Sequence, residues 1–223
     1  MKKVIVFDVN ETLLDVSALD PIFVRIFGDP NVRREWFGQM LQSAFVSTIT
    51  RTYRDFGSIG MSALAMVAER HGVALGDEDL LALGTGMRQL PPHPEVRQAM
   101  ERLHETGYRL ATLTNSTAAV CEAQLSNAGL HDLLERMLTA DSIRRLKPAP
   151  EPYRMAAERF DVGIESVCLV AAHTWDIAGA LHAGCAAAFV ARPGQVLDPA
   201  GAQPDIIGTN LADVAEQILM ADR

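Results

Sequence analysis

Helical and strand patterns alternate from about residue 94 to the end of the chain, and this alternation constrains the fold more than any other feature. Short apolar runs, such as YRLATLTN, SVCLVAA and AAAFVA, are separated by amphipathic segments such as PEVRQAMERLHETG and LADVAEQILMA. Strands that are joined through helices pair in parallel. We therefore predict an α/β fold, with a doubly wound, Rossmann-like parallel sheet as its core.

Residues 16–90 interrupt this alternation because they contain almost no strand pattern. Apolar residues such as Val32 and Trp36 recur there at helical spacing, and MSALAMVAERHG and DEDLLALGTGM predict two more helices. Asp29-Pro30 is typical of a helix start, and the proline-rich sequence LPPHP closes the insert as a stiff connector. We predict two domains, a core of residues 1–15 and 91–223 and a helical cap of residues 16–90.

The composition argues against several classes of partner. A formal net charge of -8 disfavours binding to nucleic acid and to anionic membranes, and no stretch approaches the ~20 apolar residues of a membrane span. Lys2 and Lys3 precede an apolar run that is too short for a signal peptide. Three widely spaced cysteines suggest neither a disulfide framework nor a zinc site. We expect a cytoplasmic protein without nucleic-acid or membrane partners.

Polar side chains follow the ends of several predicted strands. The run VIVF (residues 4–7) predicts a strand buried on both faces, and Asp8 stands directly after it. In an open parallel sheet, ligands bind beyond the carboxyl ends of the strands. We therefore expect one crevice, over which the cap can close as a lid, to be surrounded by Asp8, Asn10, Thr114, Asn115 and the residues after Ala172.

Four motifs occur in a distinctive order: FDVNETLLD, TLTNS, RLKPAPEPY and LVAAHTWD. Together they resemble the haloacid dehalogenase superfamily over nearly the whole chain, which implies that Asp8 is a covalent nucleophile. The phosphatases of that superfamily have a second Asp as general acid, where this chain has Asn10, which has no proton to transfer near pH 7. They also pair acids around magnesium in the last motif, where this chain has Ala172 before Asp176. Both departures argue against phosphate-ester cleavage and against a metal cofactor.

Within the superfamily, the sequence is similar to the L-2-haloacid dehalogenases. That resemblance implies hydrolysis of a short-chain (S)-2-haloacid to the inverted 2-hydroxy acid and halide, through an ester on Asp8 and with no cofactor. The residues that match the motifs of that branch are Asp8, Thr12, Thr114, Asn115, Lys147, Tyr153 and Asp176. Two segments depart from them: Asn10-Glu11 replaces an aromatic-glycine pair, and Ala171-Ala172-His173 replaces Ser-Ser-Asn.

The resemblance implies a role for each catalytic candidate. We expect Lys147 to keep Asp8 ionised, Asp176 to pair with Lys147 and position water, and Thr12 to position Asp8. Two hypotheses stay open for His173: a general base for the hydrolytic water, or a neutral hydrogen-bonding substitute for the Asn of that branch.

Substrate binding is expected to involve a second group of residues. Thr114 and nearby backbone N–H groups are candidates for the substrate carboxylate, and Asn115 for the departing halide. Tyr153 is expected to orient the lysine or the late acid. For the arginine that this branch carries on its cap, we favour Arg34 over Arg33. The full set of binding candidates is Val9, Asn10, Arg34, Thr114, Asn115, Tyr153 and Trp175, with Trp36 and Phe37 as further pocket walls.

Two alternatives remain at this point. One is a magnesium-dependent phosphatase or phosphonate hydrolase of the same fold, and the other is a non-catalytic protein built on a hydrolase scaffold. Structural roles also compete for individual residues, with Asp176 and the segment 114–116 as helix caps and Arg34 on a solvated helix face. A homodimer is one option for the oligomeric state, which the sequence leaves open.

Overall fold

The computed structural model describes residues 4–221 of the chain. Six strands within this range form one sheet, and all neighbouring strands are parallel. They are β1 (Val4–Phe7), β2 (Arg109–Thr114), β3 (Arg136–Thr139), β4 (Val167–Ala171), β5 (Ala186–Val190) and β6 (Ile206–Gly208). Their order across the sheet is β3-β2-β1-β4-β5-β6, so the direction of winding reverses beside β1. This arrangement confirms the predicted doubly wound, Rossmann-like α/β fold.

Helices cover both faces of the sheet. The core helices are α5 (Val96–Glu105), α6 (Ala118–Asn127), α7 (Pro150–Phe160), α8 (Thr174–Ala183) and α9 (Leu211–Ala221). Successive residues of β1 point to opposite faces. Ile5 and Phe7 therefore pack in one hydrophobic cluster with α5, α6 and α9, whereas Val4 and Val6 pack in another with α7 and α8. Between residues 4 and 221, no helix is long and apolar enough to cross a membrane.

The segment between β1 and α5 is helical. Its helices are α1 (Asp20–Phe27), α2 (Val32–Thr50), α3 (Phe56–His71) and α4 (Asp77–Arg88), so α1 is one helix more than the sequence pattern predicted. The predicted helix start at Asp29-Pro30 is two residues too early, because the Asp29 side chain accepts from the Asn31 backbone N–H in a turn before α2. We call the segment from α1 to α4 the cap.

Two short chain segments connect the cap to the sheet, and they lie side by side. The N–H of Asp15 donates to the carbonyl of Pro91 at 2.8 Å, and the N–H of His93 donates to the carbonyl of Leu13 at 3.0 Å. These paired crossings lie where we place the boundary between core and cap. The division into two domains stays a proposal.

The register of the sheet determines where Asp8 lies relative to the neighbouring strands. Phe7 of β1 is level with Thr112 of β2 and Val170 of β4, and the N–H of Asp8 still donates to the Val170 carbonyl at 3.0 Å. Asp8 is therefore the first residue beyond the ladder, at the strand where the winding reverses. Parallel sheets bind ligands at this point because the flanking loops diverge there.

Gly179 of α8 generates a prediction about stability, because an added Cβ would lie 2.6 Å from the Tyr153 hydroxyl and 2.7 Å from Pro148 Cβ. We expect Gly179→Ala to lower the free energy of unfolding by about 1–3 kcal/mol through overpacking. The matched control is Gly38→Ala in α2, where no heavy atom lies within 4 Å of an added Cβ. Gly38→Ala should raise the free energy of unfolding by about 0.5–1 kcal/mol. Urea unfolding measures both, and equal stability of the two variants would contradict the packing.

Candidate active site

Asp8 is the centre of a buried polar cluster. Its side chain lies at the carboxyl end of β1, and the residue is 5% exposed. The Lys147 ammonium donates to Oδ1 at 2.8 Å, and the Thr12 hydroxyl donates to Oδ2 at 2.8 Å. His173 Nδ1 lies 3.2 Å from the same Oδ2. The two carboxylate oxygens therefore have different environments, with one donor on Oδ1 and two on Oδ2.

Lys147 joins two carboxylates. Its fully buried ammonium lies 2.8 Å from Asp8 Oδ1 and 2.5 Å from Asp176 Oδ2. Asn115 fixes the lysine backbone, since its Oδ1 accepts from the Lys147 N–H at 2.8 Å and its Nδ2 donates to the Lys147 carbonyl at 3.4 Å. The side chain of Asn115 thus positions the lysine in this structure.

Asp176 is held by a second donor. The hydroxyl of Tyr153, itself buried, donates to Asp176 Oδ1 at 2.5 Å, so both oxygens of this carboxylate are engaged. Burial, followed by the charge of Asp176, raises the pKa of Tyr153 well above its usual range, which keeps the hydroxyl proton in place. Tyr153 therefore orients the acid, one of the two options that the sequence left open.

Burial and charge act against each other on the pKa values of this cluster. Burial raises the pKa of Asp8, but the Lys147 ammonium and then His173 outweigh it, so the net shift is well below the usual range. Burial lowers the pKa of Lys147, but the charges of Asp176 and Asp8 raise it by more, so the net shift is upward. Burial, with the Asp8 charge, raises the pKa of Asp176 despite its contacts with Lys147 and Tyr153. Asp8 is thus an ionised carboxylate, and Asp176 is the more basic of the two acids.

Thr12 connects the ends of β1 and β4. Its hydroxyl accepts from the Ala172 N–H at 2.9 Å, which directs its own hydrogen toward Asp8 Oδ2. Arg192 supports it from behind, because its Nε and Nη2 donate to the Thr12 carbonyl at 3.1 and 2.8 Å. Arg192 also pairs with Glu95 at 2.6 Å. The sequence contained no signal for Arg192, which follows a strand without any motif around it.

His173 lies between two carboxylates. Its Nδ1 is 3.2 Å from Asp8 Oδ2, and its Nε2 is 2.8 Å from Glu11 Oε2. Burial lowers the pKa of His173, but the hydrogen bonds to Asp8 and Glu11 outweigh burial and raise it to about 9. Carboxylates offer only lone pairs, so both ring nitrogens carry hydrogen at neutral pH. In this arrangement the imidazolium has no lone pair with which to act as a general base.

Two aromatic rings lie nearly parallel to the His173 ring. Phe37 of α2 is 6.0 Å from it at 27°, and Trp175 is 5.2 Å from it at 26°. The Lys147 ammonium lies 5.7 Å from the centre of the Trp175 ring. Aromatic faces attract cations at such distances. The Nε1 of Trp175 is buried and has no hydrogen-bond partner among the described residues, so one donor beside the site is unused.

Several binding candidates have local partners. The Thr114 hydroxyl accepts from the Ser116 N–H at 3.2 Å, and Asn10 contacts Ser116 Oγ at 3.5 Å and Gln124 Nε2 at 2.9 Å. Asn10 is therefore engaged toward α6. Val9 is fully buried, and its carbonyl accepts from Leu13 and Leu14 in the turn after β1.

The two cap arginines lie differently. Arg34, which the sequence favoured, is exposed, whereas Arg33 is 7% exposed. Arg33 Nε donates to Asp20 at 2.5 Å, and Arg33 Nη1 lies 3.8 Å from Glu11 Oε1. Arg33 is thus the residue with an ionic path to Asp8, through Glu11 and His173. Of the predicted walls, Phe37 reaches His173, whereas Trp36 donates to the Gly60 carbonyl within the cap.

Both arginines border a cavity between cap and core. The cavity has a volume of about 280 Å³. Its lining combines charged and aromatic groups, and includes Glu11, Arg33, Arg34, Phe37, His173 and Trp175. An anionic organic molecule of a few carbon atoms matches this size and this mixture of charge and apolar surface.

A family model of haloacid dehalogenase-like hydrolases matches residues 2–184. The chain belongs to this family. It is 26% identical over 212 residues to (S)-2-haloacid dehalogenase 2 of Pseudomonas sp. (strain CBS-3), covering 94% of this chain and 93% of the relative. It is 29% identical over 209 residues to haloacetate dehalogenase H-2 of Moraxella sp. (strain B), covering 92% and 93%.

A solved structure has the same fold. It is the L-2-haloacid dehalogenase of Xanthobacter autotrophicus with chloropropionic acid covalently bound, at 23% identity and a TM-score of 0.91. The match covers 98% of this chain and 99% of that one. The predicted superfamily and the resemblance to L-2-haloacid dehalogenases are confirmed.

Glu11 is a site residue to which the sequence analysis assigned no role. Glu11 and His173 occupy the two segments that depart from the family pattern, and they contact each other at 2.8 Å. The signal for this pair was present, since the two departures follow β1 and β4, which are neighbours in the sheet. Only the two departures taken together, at the ends of neighbouring strands, predict the contact between Glu11 and His173.

The pKa of His173 predicts a pH dependence of stability. The folded-state pKa of about 9 lies above the ordinary 6.5, so the imidazolium stabilises the fold fully below pH 6.5. This stabilisation is lost as the pH rises through 9. The difference between the folded-state and ordinary pKa values corresponds to about 3 kcal/mol of unfolding free energy. We expect the advantage in unfolding free energy of wild type over His173→Asn to shrink by that amount between pH 6 and pH 10. Urea titrations check it, and parallel curves for the two proteins would contradict it.

Proposed function

We propose that this protein is a hydrolase of carbon–halide bonds that converts a short-chain (S)-2-haloacid to the inverted 2-hydroxy acid and halide. The observation that carries the proposal is the clamp of Asp8, Lys147 and Asp176, in which a buried ammonium keeps a strand-end carboxylate ionised. The relatives named as haloacid and haloacetate dehalogenases, similar over nearly their full length, support the substrate class.

The first step is an in-line displacement. One oxygen of Asp8 attacks Cα of the substrate from the side opposite the halogen, which gives an ester on Asp8, an inverted Cα and free halide. Arg33 and Arg34 border the cavity and can offset the charge of the substrate carboxylate. We assign Trp175 as a donor to the halide, because it lines the cavity and its Nε1 has no partner among the described residues. A halide leaves without a proton, so this step needs no general acid at Asn10.

The second step hydrolyses the ester. Water attacks Cγ of Asp8 and loses a proton to Asp176, the carboxylate that shares the Lys147 ammonium with Asp8. Collapse of the adduct breaks the bond between Cγ and the oxygen of the hydroxy acid, which receives a proton from Lys147. Asp176 returns its proton to Lys147 across their 2.5 Å contact. The regenerated Asp8 carboxyl ionises because its pKa is low.

The remaining site candidates support these steps. We assign the positioning of Lys147 to Asn115, of Asp176 to Tyr153, and of Asp8 to Thr12, in line with their contacts. Val9, Asn10 and Thr114 are assigned to the shape of the site rather than to direct chemistry, because their polar groups bond to neighbouring protein groups.

The geometry favours this activity over a magnesium-dependent phosphatase. The Lys147 ammonium contacts both the Asp8 and the Asp176 carboxylate, so the chain itself supplies a cation that offsets their charge. Ala172 offers no oxygen side-chain ligand, and Asn10 bonds to Gln124. A substrate with a single carboxylate is compatible with the charge of lysine and arginine alone.

For location and partners, we propose a cytoplasmic enzyme with a small haloacid substrate and no nucleic-acid or membrane partner. The net charge of -8 and the dispersed cysteines support this proposal. A homodimer is the oligomeric state that we expect from the resemblance to L-2-haloacid dehalogenases.

Loss of the nucleophile tests the proposed activity. We expect wild type to release halide and 2-hydroxy acid from L-2-chloropropionate in the presence of EDTA, and Asp8→Asn to lose at least ~10⁴-fold in rate. Ion chromatography measures the halide. The matched control is Asp161→Asn at the carboxyl end of α7, an exposed site in the left-handed backbone region that Asn tolerates. Release of nitrophenol from p-nitrophenyl phosphate that requires magnesium, with no halide, would instead establish a phosphatase.

Loss of Asp176 tests the assignment of the second step. Asp176→Asn removes the proton acceptor while it retains the size of the side chain, so ester hydrolysis should slow by about 10²–10⁴-fold. The ester on Asp8 should then accumulate, and mass spectrometry of the peptide around residue 8 measures it. A normal rate of ester hydrolysis in this variant would show that another group accepts the proton.

A further inference from the structure

Glu11 has an unusual backbone. Its φ is 63°, in the left-handed region that is sterically unfavourable for a residue with a side chain. Among the described residues 4–221, three other non-glycine residues have positive φ, and each of them ends a helix: Arg51, Arg144 and Asp161. Glu11 ends no helix and lies three residues after the nucleophile. Strain of this kind persists where surrounding contacts determine the conformation, often at functional sites.

The contacts of Glu11 converge on His173. Glu11 Oε2 accepts from His173 Nε2 at 2.8 Å and from Gln195 Nε2 at 2.8 Å. Its Oε1 lies 3.8 Å from Arg33 Nη1. These partners come from the core, from the loop after β5 and from the cap. The carboxylate is therefore fixed from three directions, and it holds the His173 ring with Nδ1 facing Asp8.

The two oxygens of Asp8 differ in their free lone pairs. A carboxylate oxygen accepts about two hydrogen bonds. Oδ2 has two donors, Thr12 Oγ1 at 2.8 Å and His173 Nδ1 at 3.2 Å, whereas Oδ1 has Lys147 alone. Oδ1 therefore keeps a lone pair for attack on Cα, and Oδ2 becomes the carbonyl oxygen of the resulting ester.

We propose that His173, positioned by Glu11, acts with Thr12 as an oxyanion-binding pair on Asp8 Oδ2 during ester hydrolysis. This inference rests on the proposed function. When the oxygen of water bonds to Cγ, the π electrons of the ester carbonyl move to Oδ2, which becomes negative. The donors from Thr12 and His173 already face that atom and stabilise the charge. Collapse restores the carbonyl and breaks the bond between Cγ and Oδ1, and the hydroxy acid leaves with Oδ1.

The charges around His173 determine how its protonation affects the rate. The ion-pair cluster and the lining of the cavity bring these ionisable groups near His173: Asp8, Glu11, Arg33, Arg34, Lys147 and Asp176. Of these, Asp8 and Glu11 contact the ring directly. Esterification removes the charge of Asp8, so Glu11 is then the remaining carboxylate in contact with the imidazolium. Removal of the Glu11 charge should consequently matter most for the ester intermediate.

The test compares two Glu11 variants with a matched pair elsewhere. Glu11→Gln keeps the length and removes the charge, and Glu11→Gly removes the side chain and relieves the strained φ. The control is Glu35→Gln, which removes the charge from a second Glu–His contact, that of Glu35 with His71 at 2.7 Å on the exposed cap. Rapid-quench measurements with L-2-chloropropionate separate the halide burst from ester hydrolysis across pH. Nitrogen-15 NMR of labelled histidine gives the pKa of His173 independently of activity.

We expect both Glu11 variants to keep the halide burst, to slow ester hydrolysis by tenfold or more, and to lower the pKa of His173 by about 1–3. The alkaline limb of ester hydrolysis should move to lower pH by at least this amount, because Asp8 carries no charge in the ester. His173→Ala should slow ester hydrolysis by about 10²–10³-fold with the burst preserved. Glu35→Gln should change none of these quantities.

Two outcomes would overturn the inference. The first is that both Glu11 variants show a normal burst, an unshifted pKa of His173 and unchanged ester hydrolysis. This outcome would overturn the inference and leave the proposed function standing. Absence of any halide release by wild type would overturn the proposed function together with the donor role.

Discussion

A lysine ammonium buried between two carboxylates is the interaction on which the rest of the site depends. Lys147 is fully buried, and Asp8 and Asp176 contact it at 2.8 and 2.5 Å. Burial of such charges is unfavourable unless each is paired and hydrogen-bonded. The surrounding structure meets that requirement with the Asn115 side chain on the lysine backbone and the Tyr153 hydroxyl on Asp176. Gly179 leaves room for that hydroxyl, so even a helix interior reflects the demands of the ion cluster.

A second chain of charges continues this cluster toward the cap. It runs from Asp8 through His173 and Glu11 to Arg33 on α2, with Phe37 of the same helix beside the imidazole ring. The cap thus contributes both a charge and an aromatic surface to the environment of the nucleophile. A movement of α2 would therefore alter the electrostatic field at Asp8 as well as access to the cavity.

The fold and the central clamp were predictable from sequence because they rest on regular patterns. Alternating strand and helix periods indicated the sheet, and the position of Asp8 after VIVF placed it at the sheet edge. The motifs around Lys147 and Asp176 then pointed to the same crevice. Helix boundaries are less predictable, since the sequence offers the segment 114–116 as a helix cap, whereas Thr117 is the residue before α6. Such details depend on competing local hydrogen bonds.

The side-chain partners outside the motifs were not predictable. Whether Arg33 or Arg34 faces the site depends on the rotation of α2 about its axis. The sequence does not determine this rotation, because apolar and polar residues are only weakly segregated around α2. The protonation of His173 depends on Glu11, a partner 162 residues away in the chain. The sequence leaves two roles open for His173, a general base and a neutral donor. Its contacts with two carboxylates support our proposal of a charged donor.

The central claim is that Asp8 carries the substrate as an ester and that water attacks Cγ of Asp8 rather than the substrate carbon. A single turnover with enzyme in excess over L-2-chloropropionate, in water labelled with heavy oxygen, tests it most directly. We expect unlabelled 2-hydroxy acid and heavy oxygen in the Asp8 carboxylate, measured by mass spectrometry of both. Label in the product of this first turnover, with none in Asp8, would contradict it, because water would then have displaced the halide directly.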